Sequence, residues 1–238
     1  MPRTILLLAF ALLACGQAGL PSTKPQAVFV HGGGWHGGTP AAGDFLAGWF
    51  GDRGFAFRAI DYRKPPAVRL GDSVADVAAA ARTAAQAGPL TLVGHSAGAH
   101  LAAAAALGRD APPVACLMLL DGIGYDLSAT LRERPGLEDR TGLTADEAAP
   151  LSPTALAAAT ARRPAVLLAA GGDARGTAAQ AQAFAAVLRR FGFDVTLALF
   201  PEARHADFLR DFAVPDSAIA RAADAFLAQH PACHPPRL

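Results

Sequence analysis

Short apolar runs alternate along this chain with longer, alanine-rich stretches that carry their polar residues on one side. The runs at 27–31, 55–62, 90–93, 114–120, 165–170 and 193–200 read as strands. Several are continuously apolar, which is what burial on both faces of a sheet demands. Helices are predicted over 44–54, 73–87, 97–107, 178–191 and 218–229. Ser73 serves there as an N-cap with Asp76 three positions on, and Gly54 and Gly192 act as stops. The segment 121–163 is polar and turn-rich, with room for two short helices, and from 124 onward it is where a small lid or pocket wall could sit. Strand and helix in alternation predict an α/β fold, a mostly parallel sheet with helices on both faces. No internal repeat or second domain interrupts the pattern, so 21–238 reads as one domain with a small or absent cap.

The first twenty residues stand apart. Arg3 gives a short positive start, and 5–14 form an apolar run of about ten residues, where roughly 20 are needed to span a bilayer. Small residues follow, so 1–20 reads as a signal peptide, with cleavage after Ala18 fitting the small-x-small rule. Leu12-Leu13-Ala14-Cys15-Gly16 also resembles a bacterial lipobox, in which Cys15 would carry a lipid anchor. Either form implies export: periplasmic, secreted or attached to a bacterial membrane.

Composition narrows the partners. Of 238 residues 52% are hydrophobic and 17% charged, and the formal net charge of +1 comes with no dense Lys/Arg block. That balance is globular, and it makes nucleic acid and anionic membrane surfaces poor partners. Cys116 and Cys233 read as unpaired, one in an apolar strand and the other in a Pro/His tail. His230, Cys233 and His234 lack further well-spaced ligands, so no metal and no cofactor is assigned.

The chemistry begins at Gly94-His95-Ser96-Ala97-Gly98, a G-x-S-x-G with a strand before it and an alanine-rich helix after it. The turn between them is too tight for flanking side chains, and it lifts the Ser96 hydroxyl above the sheet edge as a nucleophile. Upstream, His31-Gly32-Gly33-Gly34-Trp35 follows a strand, and its bare amides suit an oxyanion, with the Ala97 N–H as the other donor. His31 is read as shaping that loop. Neither G-x-G-x-x-G nor G-x-x-x-x-G-K-[ST] occurs, which sets a phosphate cradle aside. His205, in the loop after the last strand, is the base; His36, His95, His100, His230 and His234 lie on worse-placed elements. The acid expected before it is Asp173, which follows strand 165–170 through Gly171-Gly172, with Asp121 as the rival at the end of the strand before. Trp35 reads equally as a pocket wall or as plain packing, and both it and His95 are candidates for the substrate pocket.

With these motifs assembled, the chain resembles the hormone-sensitive-lipase-like carboxylesterases, and still more the compact bacterial esterase and kynurenine-formamidase branch of the α/β hydrolases. The stretches that carry the resemblance, beside HGGGW, GHSAG and GGD, are "FAFRAIDYR" (55–63) and "GLTADEAAPLSP" (142–153). It implies an α/β-hydrolase fold, hydrolysis of short acyl esters or of an aryl formamide without a cofactor, and an oxyanion hole at Gly33, Gly34 and Ala97. The large N-terminal cap of the lipase-like relatives is absent, and the sheet would be shortened at the edge before the glycine loop. The reading is therefore a serine esterase acting on a small-molecule ester. An arylformamidase of the N-formylkynurenine type and a hydrolase-like binding protein without activity are the alternatives. Monomer and dimer fit the sequence equally.

Overall fold

The computed structural model describes residues 24–172 and 175–234. Residues 1–23, on which the expected signal peptide 1–20 and Cys15 fall, lie outside the described residues, as does Asp173. Six strands form one sheet in the order β2-β1-β3-β4-β5-β6, with every neighbouring pair parallel. They are β1 (Gln26–Val30), β2 (Ala56–Ile60), β3 (Leu90–His95), β4 (Cys116–Leu120), β5 (Ala165–Gly171) and β6 (Val195–Phe200). Among the described residues β2 is the edge strand on the glycine-loop side.

The apolar runs are continuous because each strand feeds two cores, one per pleat face. Val28, Val30, Leu90, Leu92, Leu117, Leu119, Val166 and Leu168 pack on one side with α2 (Leu70–Ala85), α3 (Ala97–Leu107) and α7 (Thr177–Arg190). Ala27, Phe29, Val93, Cys116, Met118, Leu120, Leu167 and Ala169 pack on the other with α1 (Asp44–Asp52), α8 (Asp207–Arg210) and α9 (Ala218–Gln229). Helix α3 is buried on all sides between α2 and α6 (Pro153–Ala159), which its run of alanines allows because small side chains let backbones approach closely.

Three expectations change. Helix α2 starts at Leu70 rather than at Ser73. The Arg69 N–H donates to Asp72, the Ser73 hydroxyl donates to the Arg63 carbonyl, and Asp76 is taken by the Arg63 backbone and guanidinium. The cap residues read from sequence are thus drawn into holding the preceding loop. Cys116 and Cys233, expected to be unpaired, are joined in a disulfide with Cα atoms 5.5 Å apart. Helix α9 lies on the face to which Cys116 points, and the chain after it returns over the start of β4. The segment after β4 forms α4 (Leu127–Glu133), α5 (Glu138–Thr141) and α6, one short helix more than predicted. No helix among the described residues is long and apolar enough to cross a membrane.

Register sets the site. Val30 pairs with Gly94, His95 with Leu120, Leu120 with Ala169, and Gly171 with Phe200. The strands therefore end level, and the loops after β1, β3, β4, β5 and β6 open at one edge, where α/β sheets bind ligands.

Candidate active site

Ser96 joins β3 to α3 with φ 57 and ψ −127, a left-handed conformation that side chains other than glycine rarely adopt. Contacts at the flanking glycines explain the motif. A methyl group on Gly94 would stand 2.4 Å from the Gly98 carbonyl oxygen, and one on Gly98 would stand 2.2 Å from that of Val30. The Ser96 N–H donates to the Leu120 carbonyl at 3.0 Å, which ties the elbow to β4. The first turn of α3 points its free N–H groups at the site, where they favour negative charge.

The glycine loop meets Ser96 at Gly32, whose added methyl would lie 2.8 Å from Ser96 Cβ and 2.9 Å from the His95 carbonyl oxygen. Sequence reasoning singled out Gly33 and Gly34 but not Gly32; the signal for it was the unbroken glycine triplet directly after β1. Gly33 at φ 123 and Gly34 at φ 61 take up the turn, Gly33 exposed and Gly34 half-buried. His31 holds the loop, as the sequence implied. It is fully buried, with Nδ1 2.7 Å from the Gly32 carbonyl, Nε2 3.1 Å from Asp61, and its ring stacked on Tyr62. The Tyr62 hydroxyl donates to the His31 carbonyl.

His205 follows β6, and its Nδ1 lies 2.5 Å from Asp121 Oδ2. Asp121 directly follows β4 at φ 46, is fully buried, and accepts a second hydrogen bond at Oδ1 from the Gly171 N–H at 2.8 Å. Burial works to raise its pKa, but the hydrogen bonds, led by that from His205, outweigh burial and hold the carboxyl below its ordinary value. Gly171 and Gly172 let the base loop approach: added methyls there would strike the Ala203 and Pro201 carbonyl oxygens at 2.5 and 2.2 Å. Asp121, the rival in the sequence, thus occupies the place beside the base.

His95 and Trp35, both candidates for the substrate pocket in the sequence, are held by internal hydrogen bonds. His95 Nε2 donates to the His205 carbonyl at 3.0 Å, with the rings 4.5 Å apart. Burial, then the charge of His205, lowers the His95 pKa to about 4, so the ring is neutral and keeps its proton on Nε2. Trp35 has no exposed surface; its Nε1 donates to His100 Nδ1 at 3.1 Å, and His100 Nε2 donates to the Leu151 carbonyl at 2.9 Å. This buried chain ties the glycine loop to α3 and to the turn before α6. At the other end of the molecule, Cys233 is in the disulfide, His230 lies 3.7 Å from Asp194, and His234 Nε2 contacts the Arg53 carbonyl.

A parallel sheet with a serine on a strained elbow after a central strand, a glycine loop beside it, and a histidine backed by a buried carboxylate is the arrangement of an α/β hydrolase. The family model of the alpha/beta hydrolase fold matches residues 27–209, and the chain belongs to that family. Among solved structures it is similar to native esterase Est2 of the planctomycete Thermogutta terrifontis, with 25% identity, a TM-score of 0.74, and coverage of 93% of this chain and 88% of that one. The propionate-bound form of Est2 matches at 24% identity and a TM-score of 0.73, covering 92% and 89%. The form phosphoramylated by tabun matches at 24% and 0.70, covering 90% and 86%. A search of curated proteins found no match to this sequence.

Proposed function

We propose that this carboxylesterase-type hydrolase cleaves small carboxylic esters through Ser96, with His205 as base and Asp121 as the acid behind it. His205 takes the Ser96 proton as the oxygen attacks the ester carbonyl. The oxyanion is held by amides of the glycine loop, Gly33 and Gly34, and by that of Ala97. The carbonyl reforms, the alcohol leaves with the proton from His205, and an acyl group remains on Ser96. Water then attacks, gives its proton to His205, and releases the acid and free serine. Asp121 fixes the imidazole with its proton on Nδ1 and stabilises the imidazolium. The observation that carries this reading is the Asp121 carboxylate held between His205 Nδ1 and the Gly171 N–H, at the sheet edge where Ser96 stands.

Export also belongs to this proposal. The leader-like start supports it, and so does the Cys116–Cys233 disulfide, a bond that persists in oxidising compartments.

The test pairs a fluorophosphonate probe with turnover of p-nitrophenyl acetate and butyrate. Wild type is expected to label and hydrolyse, Ser96→Ala to do neither, and Asp121→Asn to lose about 10⁴ in kcat. A folded wild type that neither labels nor hydrolyses overturns the esterase reading. A collapse in Asp173→Asn, with Asp121→Asn close to wild type, returns the acid to the turn after β5.

A further inference from the structure

The mechanism leaves unexplained the charge at the mouth of its site. Arg140 lies in α5, within the segment between β4 and β5, and its side chain reaches the glycine loop. A methyl group on Gly34 would stand 3.3 Å from Arg140 Nη1. Arg140 is exposed and enters no ion pair among the described residues, although Glu138 and Asp139 precede it and Arg132 nearby is paired with Asp146. His36 shares the place: its Nδ1 lies 3.4 Å from the same point and donates to the Gly34 carbonyl at 2.9 Å. A further positive charge near the site is that of Arg175, which disfavours a proton on His95 and whose carbonyl accepts from Arg134.

An uncharged short ester needs only an apolar wall beside the oxyanion loop, and this site has a guanidinium there. Guanidinium presents five donors in a planar fork that matches a carboxylate with two parallel hydrogen bonds. Its position at Gly34, one side chain's reach from the oxyanion amides, places it where a substituent a few bonds from the scissile carbonyl would arrive.

We propose that this enzyme acts on esters carrying a carboxylate, and that Arg140 recognises that carboxylate. The proposal rests on the serine-esterase reading above. Arg140 touches the remote anion rather than the reacting atoms, so it sets specificity. The carboxylate belongs to either the acyl or the alcohol half of the ester, and paired substrates separate the two.

The experiment compares kcat/KM for two matched pairs. One pair is 4-butanoyloxybenzoate and its methyl ester, charged or neutral on the leaving side. The other is mono-4-nitrophenyl adipate and 4-nitrophenyl hexanoate, charged or neutral on the acyl side. In Arg140→Gln the anionic-to-neutral ratio is expected to fall about fivefold for one pair, the loss of an exposed charge pair worth about 1 kcal/mol. The same ratio in wild type should fall as salt rises from 0.02 to 0.5 M, because exposed charges are screened over such a range. Arg190→Gln removes an equal charge from the end of α7, beside the opposite edge of the sheet, and controls for net charge. Both ratios changing no more in Arg140→Gln than in Arg190→Gln overturns the proposal. Failure of wild type to hydrolyse any of the four esters or to label with the probe overturns instead the esterase reading on which it rests.

Discussion

His95 and His100 flank Ser96, and both are buried and held neutral, their pKa values lowered to about 4, chiefly by burial. In the unfolded chain each returns to about 6.5. Below that pH the unfolded state binds protons that the folded state refuses, so stability present above pH 6.5 is lost as pH falls toward 4. The loss levels off once the folded rings also protonate, and it amounts to roughly 3 kcal/mol per histidine. Melting temperature should therefore be nearly flat from pH 8 to 7 and fall steadily from 6.5 to 4. His100→Gln keeps an acceptor for Trp35 and a donor for Leu151, and it should remove close to half of that fall. An undiminished slope in the variant would place the titration elsewhere. At this scale Ser96, His205 and the glycine loop were legible, because each sits in a local pattern with a fixed order along the chain. The partner of His205 was not. Asp121 and Asp173 both follow apolar strands, and the choice depends on which turn the loop after β6 approaches, a tertiary fact with no local signal. For Trp35 the sequence leaves pocket wall and plain packing open for the same reason: adjacency to the site is visible, but direction is not.

Elements carry the strain that the site uses. The Ser96 backbone at φ 57 and ψ −127 matches the first central position of a type II′ turn, where glycine is the favoured residue. Holding a side chain there costs about 1–3 kcal/mol, while glycine's own flexibility costs about 0.5–1 kcal/mol. Both Ser96→Gly and Ser96→Ala remove the hydroxyl, but only the glycine relieves the backbone. Ser96→Gly should then be more stable than Ser96→Ala by about 1 kcal/mol, a difference of about 2–4 °C in a domain of this size. Equal melting points, or a more stable alanine variant, would mean that the elbow stores no strain. Elements were the most legible level of this chain: α9 and α3 were predicted at their observed bounds, and α7 to within a residue. The start of α2 was misplaced because Ser73 and Asp76, a capping pattern in sequence, satisfy Arg63 of the preceding loop instead.

Across the whole molecule, the sheet divides the interior into two cores, and the Cys116–Cys233 disulfide closes the one that does not hold α3. The fold class followed from the alternation of strands and helices; the disulfide did not, because it joins residues 117 apart that meet only once α9 has packed. That separation makes it effective. A cross-link closing a loop of roughly 100 residues removes chain entropy worth up to about 4.7 kcal/mol from the unfolded state, and measured losses on removing native disulfides run at about 2–5 kcal/mol. Cys116 opens β4, the strand that Asp121 directly follows, so the bond also pins the start of the element that positions Asp121. Reduction should lower the melting temperature by about 5–15 °C. Esterase activity at 25 °C should survive, since register with β3 and β5 holds Asp121 independently of the tail. Cys233→Ser should reproduce the reduced protein and be insensitive to dithiothreitol. If reduction leaves the melting temperature unchanged while Cys233→Ser matches wild type, the bond contributes nothing, and the two cores alone hold the sheet. If activity falls in step with reduction well below the melting point, β4 depends on its covalent anchor, and the acid is positioned from the far end of its strand.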